Sequence, residues 1–213
     1  MKKIMFSDKF SLTKAVLDGR KTQTRRMLTL TLQKKGDMGK LIDVFPTNVF
    51  FEDGKWKFTY DDYDFLLPKM NYPKYNIGEV VAVAQSYKNV YNEHGLETMD
   101  MLVQHLKNSA GWHNKLFIRA DLMTHQIRIT NVRIERLKDI SDEDCLKEGI
   151  QKMPIGCEYL YSFYDNDKGV WNNYKTPRKA FANLINKMSR KDVWNENPYV
   201  FVYDFEMVKG DAK

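Results

Sequence analysis

Apolar residues recur along this chain in two rhythms, a period of two that marks strands and a period near 3.6 that marks helices. Residues 55–60 alternate lysine with Trp56 and Phe58, and Glu52-Asp53-Gly54 separates them from the aromatic run 44–51. Asp-Gly between two such runs predicts a β-hairpin with one apolar and one wet face. Residues 80–84 form a short, nearly continuous apolar strand behind the turn at 75–79, suited to a barrel interior. Residues 116–120 predict another strand. Over 126–136, Ile127, Ile129, Asn131, Arg133 and Glu135 face one way and Arg128, Thr130, Val132, Ile134 and Arg136 the other. Neither face is cleanly apolar, which predicts a strand at a rim or edge. The dense run 199–205 predicts a strand buried on both sides.

The helical rhythm appears four times. Residues 9–18 can turn Phe10, Val16 and Leu17 inward, and Gly19 stands where a left-handed helix cap belongs. Residues 97–107 cluster Met101, Leu102 and His105. Ser141 is a good N-cap, followed by Asp142, Glu143 and Asp144 on the positive end of the dipole, and Gly149 stops that helix after about two turns. Thr176-Pro177 starts the last helix, whose stripe is Phe181, Leu184, Ile185 and Met188. Between these elements, 27–40 reads as a loop or frayed strand broken at Gly36 and Gly39, and 61–73 as irregular. Residues 86–115 and 151–175 read as insertions. The second is aromatic-rich, either a lid or a loop packed by its own rings.

Composition narrows the class. Apolar content of 43% and charge of 29% belong to a globular protein rather than a disordered one. No apolar run approaches the ~20 residues of a membrane span, and the N-terminus lacks a signal peptide's apolar stretch, so a cytoplasmic location is expected. Cys145 and Cys157 form no CxxC pair and predict two free, buried thiols. His94, His105, His113 and His125 have no zinc spacing, so no metal is expected, and no motif points to a cofactor. The net charge of +6 is local: the first forty residues hold eleven lysines and arginines against three aspartates, +8, and the remainder is −2. Such a segment suits an anionic partner, a nucleotide or RNA backbone, or is simply solvated.

The centre of that charge is Gly19-Arg20-Lys21-Thr22-Gln23-Thr24-Arg25-Arg26. Lys21 and Thr24 read either as a base and nucleophile in an anion-attracting pocket or as a solvated basic turn. In a regular strand, residues three apart face opposite ways, so their convergence requires a bend. A lysine base must be neutral, and partial burial beside Arg20, Arg25 and Arg26 shifts its pKa in that direction. Glu148 sits in the last turn of its helix, opposed to the dipole and beside the buried face. There it is either a carboxyl of raised pKa fit to donate a proton or an ordinary surface glutamate.

The pattern Gly19-Arg20-Lys21-Thr22-x-Thr24-x-Arg26 after a short helix resembles the signature of the ASCH domain family. The ending Trp194-Asn195-x-Asn197-Pro198-Tyr199-Val200-Phe201-Val202 resembles its long members, many of them encoded by phages and prophages. The resemblance implies an α+β fold over 1–213, a PUA-like mixed β-barrel flanked by short helices, with the two insertions absent from the small members. Those small members are amidohydrolases that remove acetyl from N4-acetylcytidine, with a catalytic glutamate in a comparable helix. It therefore implies Lys21, Thr24 and Glu148 as catalytic and Arg20, Arg25 and Arg26 as substrate-binding, with a nucleoside or RNA as ligand. Where the long members read Trp-Val-Arg-Glu, this chain has Ala82-Val83-Ala84-Gln85. The other function compatible with these features is a non-catalytic RNA- or nucleotide-binding module.

Overall fold

The computed structural model describes residues 1–28, 32–35, 41–44, 46–60, 62–68, 72–94 and 105–208. The chain opens with a two-residue strand β1 (Lys3–Ile4), helix α1 (Leu12–Leu17) and strand β2 (Gln23–Met27). A hairpin of β3 (Leu32–Lys35) and β4 (Leu41–Val44) comes next, then β5 (Asn48–Glu52), β6 (Lys55–Tyr60) and β7 (Tyr63–Leu66). Strand β8 (Val80–Val83), helix α2 (Tyr87–His94) and a run of 3-10 turns lead to the long strand β9 (Gln126–Arg136). Helix α3 (Asp142–Lys147) precedes a meander of β10 (Gln151–Ile155), β11 (Glu158–Asp165) and β12 (Val170–Tyr174). Helices α4 (Pro177–Ser189) and α5 (Val193–Glu196) and strand β13 (Tyr199–Met207) complete it.

The architecture is α+β, built on a mixed five-stranded sheet of order β1-β8-β9-β13-β2. Only β1 and β8 run parallel. Among the described residues no ladder joins β1 to β2, so the sheet is open and does not close into the expected barrel. Strand β13 is buried on both faces, as its density predicts: Val200, Val202, Phe201, Tyr203 and Phe205 are all 5% exposed or less. Phe201 meets Trp56 of the β5–β6 hairpin edge-on, and Tyr203 meets Tyr75. On the other face Arg25, opposite Val202 in register, reaches Phe181 of α4 and Asp144 of α3. The sheet thus has the hairpin on one side and two helices on the other.

Local signals hold where a backbone requirement is unambiguous. Asp53 and Gly54 both take positive φ (50° and 73°), the geometry of a two-residue hairpin turn. The Ser141 hydroxyl accepts from the Asp144 N–H, and the Thr176 hydroxyl from the Lys179 N–H. Gly19, at φ 72°, ends α1 while the Arg20 and Lys21 N–H groups both reach back to the Ala15 carbonyl.

Several expectations are corrected. Strand β9 is central, flanked by β8 and β13, not an edge. Residues 116–120 form 3-10 turns on either side of two extended residues, Ile118 and Arg119, rather than a strand. Within 61–73, β7 adds a third strand to the hairpin, whereas within 27–40 the strand alternative holds for β3, which pairs with β4. The breaks at Gly36 and Gly39, and the 97–104 part of the helix expected at 97–107, lie outside the described residues. The second insertion is neither lid nor irregular loop but the β10–β12 sheet. Its Phe163 packs on Phe10 and Tyr174, and Asn166 binds the Asp8 carbonyl and the Ser11 hydroxyl. Cys145 is buried, but Cys157 is exposed on the β10–β11 turn. No described helix is long and apolar enough to cross a membrane.

Candidate functional site

Lys21 leaves the end of α1 and enters the interior, where its side chain is 1% exposed. Its Nζ donates to Glu148 Oε2 at 2.5 Å and to the Glu148 carbonyl at 2.7 Å. The second bond caps the C-terminus of α3, where carbonyls lack helical partners and a cation is favoured. Gly149 permits this approach. It holds φ 104°, and a Cβ there would lie 3.1 Å from Leu12 Cδ2 and 3.6 Å from Lys21 Cδ. The glutamate read as either catalytic or superficial is therefore interior, at 5% exposure.

Glu148 Oε1 accepts from Arg25 Nη1 at 3.2 Å, so the carboxylate lies between an ammonium and a guanidinium. Arg25 is itself enclosed. Its Nη1 also donates to Gln23 Oε1, its Nε and Nη2 to Glu135 Oε1, and its Nη2 to Asp144 Oδ2. Behind it Arg133 pairs with Glu135, Asp144 and Asp204, and Asp204 accepts from Gln23 and Asn131. Burial alone would raise the Asp144 carboxyl, but Lys147, Arg133 and Arg25 hold it below its ordinary value. This network explains the mixed pattern of β9: a register shift at Thr130 turns Asn131, Arg133 and Glu135 to the face of Arg25 and Asp204, while Ile127 and Ile129 share the opposite, apolar face with Val132 and Ile134. The shift in phase of the apolar positions, from 127 and 129 to 132 and 134, was the available signal, and under a strict alternation it looks like an edge.

Thr24 and Arg26 project from β2 beside Lys21. Thr24 is 5% exposed and forms no side-chain hydrogen bond among the described residues. Lys21, Thr24, Arg25, Arg26 and Glu148 line one cavity of about 30 Å³, closed above by Phe181 and Leu184 of α4. The strand-alternation objection does not apply, because Lys21 precedes the first residue of β2. Burial is the largest influence on Lys21 and lowers its pKa. Glu148 opposes the shift, Arg26 and Arg25 reinforce it, and the net direction is down. A volume near 30 Å³ has room for about one water and not for a nucleoside. The β10–β12 insertion contributes nothing to its lining.

Two of the expected binding arginines are elsewhere employed. Arg20 is exposed and pairs with Asp18 at 3.1 Å, away from the cavity. Arg25, with all its nitrogens engaged by the protein, holds Glu148 rather than a ligand. Arg26 remains: its Nη2 donates to the Met5 carbonyl at 2.6 Å, and it has no carboxylate partner among the described residues. Arg26 and Met5 also border a second, wider pocket of about 360 Å³ that sequence reasoning missed, because Lys3, Tyr72, Lys74 and Tyr75 come from segments with no shared motif. Among the described residues no group of three or more His, Cys, Asp and Glu could hold a metal ion. Compared with protein-family models, curated proteins and solved structures, the chain matches none.

Proposed function

We propose that this chain is an ASCH-like hydrolase of PUA-like ancestry that removes an acyl group from a modified nucleoside such as N4-acetylcytidine. The observation that carries this reading is the meeting of Lys21 and Glu148, 127 positions apart, in a buried cavity that Thr24 also lines. A buried lysine with lowered pKa can accept the threonine proton. Thr24 Oγ adds to the acyl carbon as its proton passes to the neutral Lys21 amine. The C–N bond then breaks, and Lys21 returns that proton to the leaving nitrogen. Water cleaves the resulting threonine ester, its hydroxyl going to the acyl carbon and its proton to Thr24. Glu148, held by Arg25, orients the Lys21 amine throughout. The small inner cavity takes the acyl carbonyl, and base and sugar lie in the wider pocket.

The second reading, a non-catalytic nucleotide or RNA binder, is favoured by one feature, the narrowness of the inner cavity. The test is incubation of wild type and Lys21→Ala with N4-acetylcytidine, following cytidine by chromatography. Cytidine from wild type alone supports the hydrolase. Absence of cytidine from both, with circular dichroism showing folded protein, removes this substrate and leaves the binder.

A further inference from the structure

We propose that the wider pocket is a phosphate-binding subsite, so that the preferred ligand is a nucleotide carrying a terminal phosphate rather than a free nucleoside. The proposal rests on the hydrolase reading only for what enters the inner cavity. Lys3, Arg26 and Lys74 line the pocket, and none forms an ion pair with a carboxylate among the described residues. Elsewhere within residues 1–28 the charges are compensated: Lys2 by Glu79, Lys9 by Asp167, Lys14 and Arg20 by Asp18, Lys21 and Arg25 by the buried carboxylates. Glu79, on the adjacent turn, is held by Lys2 and by the Asn76 N–H.

The three cations differ in what they can offer. Lys3 Nζ already donates to the Leu116 and Ile118 carbonyls, both at 2.8 Å, and supplies field rather than contact. Arg26 keeps most of its guanidinium free after its bond to Met5. Lys74 Nζ stands 5.4 Å from the Tyr75 ring with no hydrogen bond among the described residues. A guanidinium fork and a free ammonium facing one space suit a phosphomonoester, whose oxygens accept from both. The walls are already fastened: the Tyr75 hydroxyl donates to the Lys3 carbonyl, and the Tyr203 hydroxyl accepts the Lys74 N–H. Little ordering cost remains to be met on binding. Tyr72, 37% exposed at the rim, offers a ring face to a base. The cations gather in a concavity instead of tracking along a face, which favours a terminal phosphate over a polymer backbone. Arg26 and Met5 wall both spaces, so the two adjoin.

The test is isothermal titration calorimetry of the intact protein with cytidine, cytidine 5′-monophosphate and a short single-stranded RNA, across a salt series. The monophosphate is expected to bind at least about tenfold tighter than cytidine, the factor that one charged hydrogen bond supplies. That preference should fall with salt and vanish in Lys74→Ala, an exposed position whose substitution leaves the fold intact, and weaken in Arg26→Gln. Equal affinities, no binding of either ligand, or a preference that survives both variants would overturn the proposal. Tighter binding of the RNA through the same residues would also overturn it, in favour of a polymer surface. Loss of hydrolysis with the phosphate preference intact sinks only the hydrolase reading, and hydrolysis with no phosphate preference sinks only the subsite.

Discussion

Arg25 and Arg26 are neighbours in one short strand and have opposite surroundings. Arg25 points under the helices, 1% exposed, with three carboxylates and a glutamine amide on its nitrogens. Arg26 points along the pockets, holds one backbone carbonyl and meets no described carboxylate. The same chemistry is therefore structural at one position and available to a ligand at the next. A cation buried among carboxylates keeps other groups in place, whereas a cation left unmatched at a concave surface keeps an anion's place open. Counting charges along the stretch treats the two arginines alike, and only their partners separate them.

The most severe way to break the comparison is to remove Arg25. Arg25→Met leaves Glu135, Asp144 and Glu148 in a low-dielectric site without their shared cation, and should cost about 3–5 kcal/mol by urea unfolding. Arg26→Met should cost less than about 1 kcal/mol in the same assay. Comparable losses at the two positions would abolish the distinction drawn between them. Next in size is Gly149→Ala. At positive φ, with Leu12 and Lys21 against the new methyl, it should lose about 1–3 kcal/mol in thermal unfolding. Removing the Ser141 cap by Ser141→Ala should cost about 1 kcal/mol, a purely local loss that leaves the charge network alone.

The protonation of Lys21 sharpens the comparison without a large energy. Its pKa is lowered in the folded protein, so between that value and the ordinary 10.5 the unfolded chain binds the extra proton. Stability therefore rises with pH across that window and is reduced below it. Lys21→Met should flatten this part of the pH–stability curve, and an unchanged slope would show that Lys21 carries no shift. Smallest of all is the thiol experiment. Burial pushes Cys145 up to about 12, and Cys157 is exposed, so a thiol reagent should label Cys157 fast and Cys145 only on unfolding.

Much of the frame was legible because its signals are local. Gly19, Asp53-Gly54, Ser141 and Thr176-Pro177 each state a backbone requirement within four residues, and the structure meets each one. Misreadings cluster where pairing is long-range. β7 was missed because four exposed residues are too short a run to establish the alternation of a strand. β9 looked like an edge because its bulge at Thr130 swaps the two faces mid-strand, so a strict alternation mixes core residues with charges whose partners lie on β2, α3 and β13. Residues 151–175 read as a lid or a self-packed loop because Tyr, Asn and Asp dominate them, although the chain pairs with itself as a meander.

The sequence by itself determined the helix ends, the hairpin turn, the doubly buried last strand and the basic, hydroxyl-bearing stretch at 19–26, because each depends on neighbours in the chain. It named Lys21, Thr24 and Glu148 through a resemblance, without the means to bring them together. Tertiary structure alone decided that Glu148 is interior and clasped by Lys21 and Arg25, that Arg20 faces away, and that Arg26 joins Lys3 and Lys74 around a pocket. Those outcomes depend on which side of the sheet each residue occupies and on carboxylates more than a hundred positions distant. Electrostatic pairing acts through space, and a linear pattern does not contain the distance.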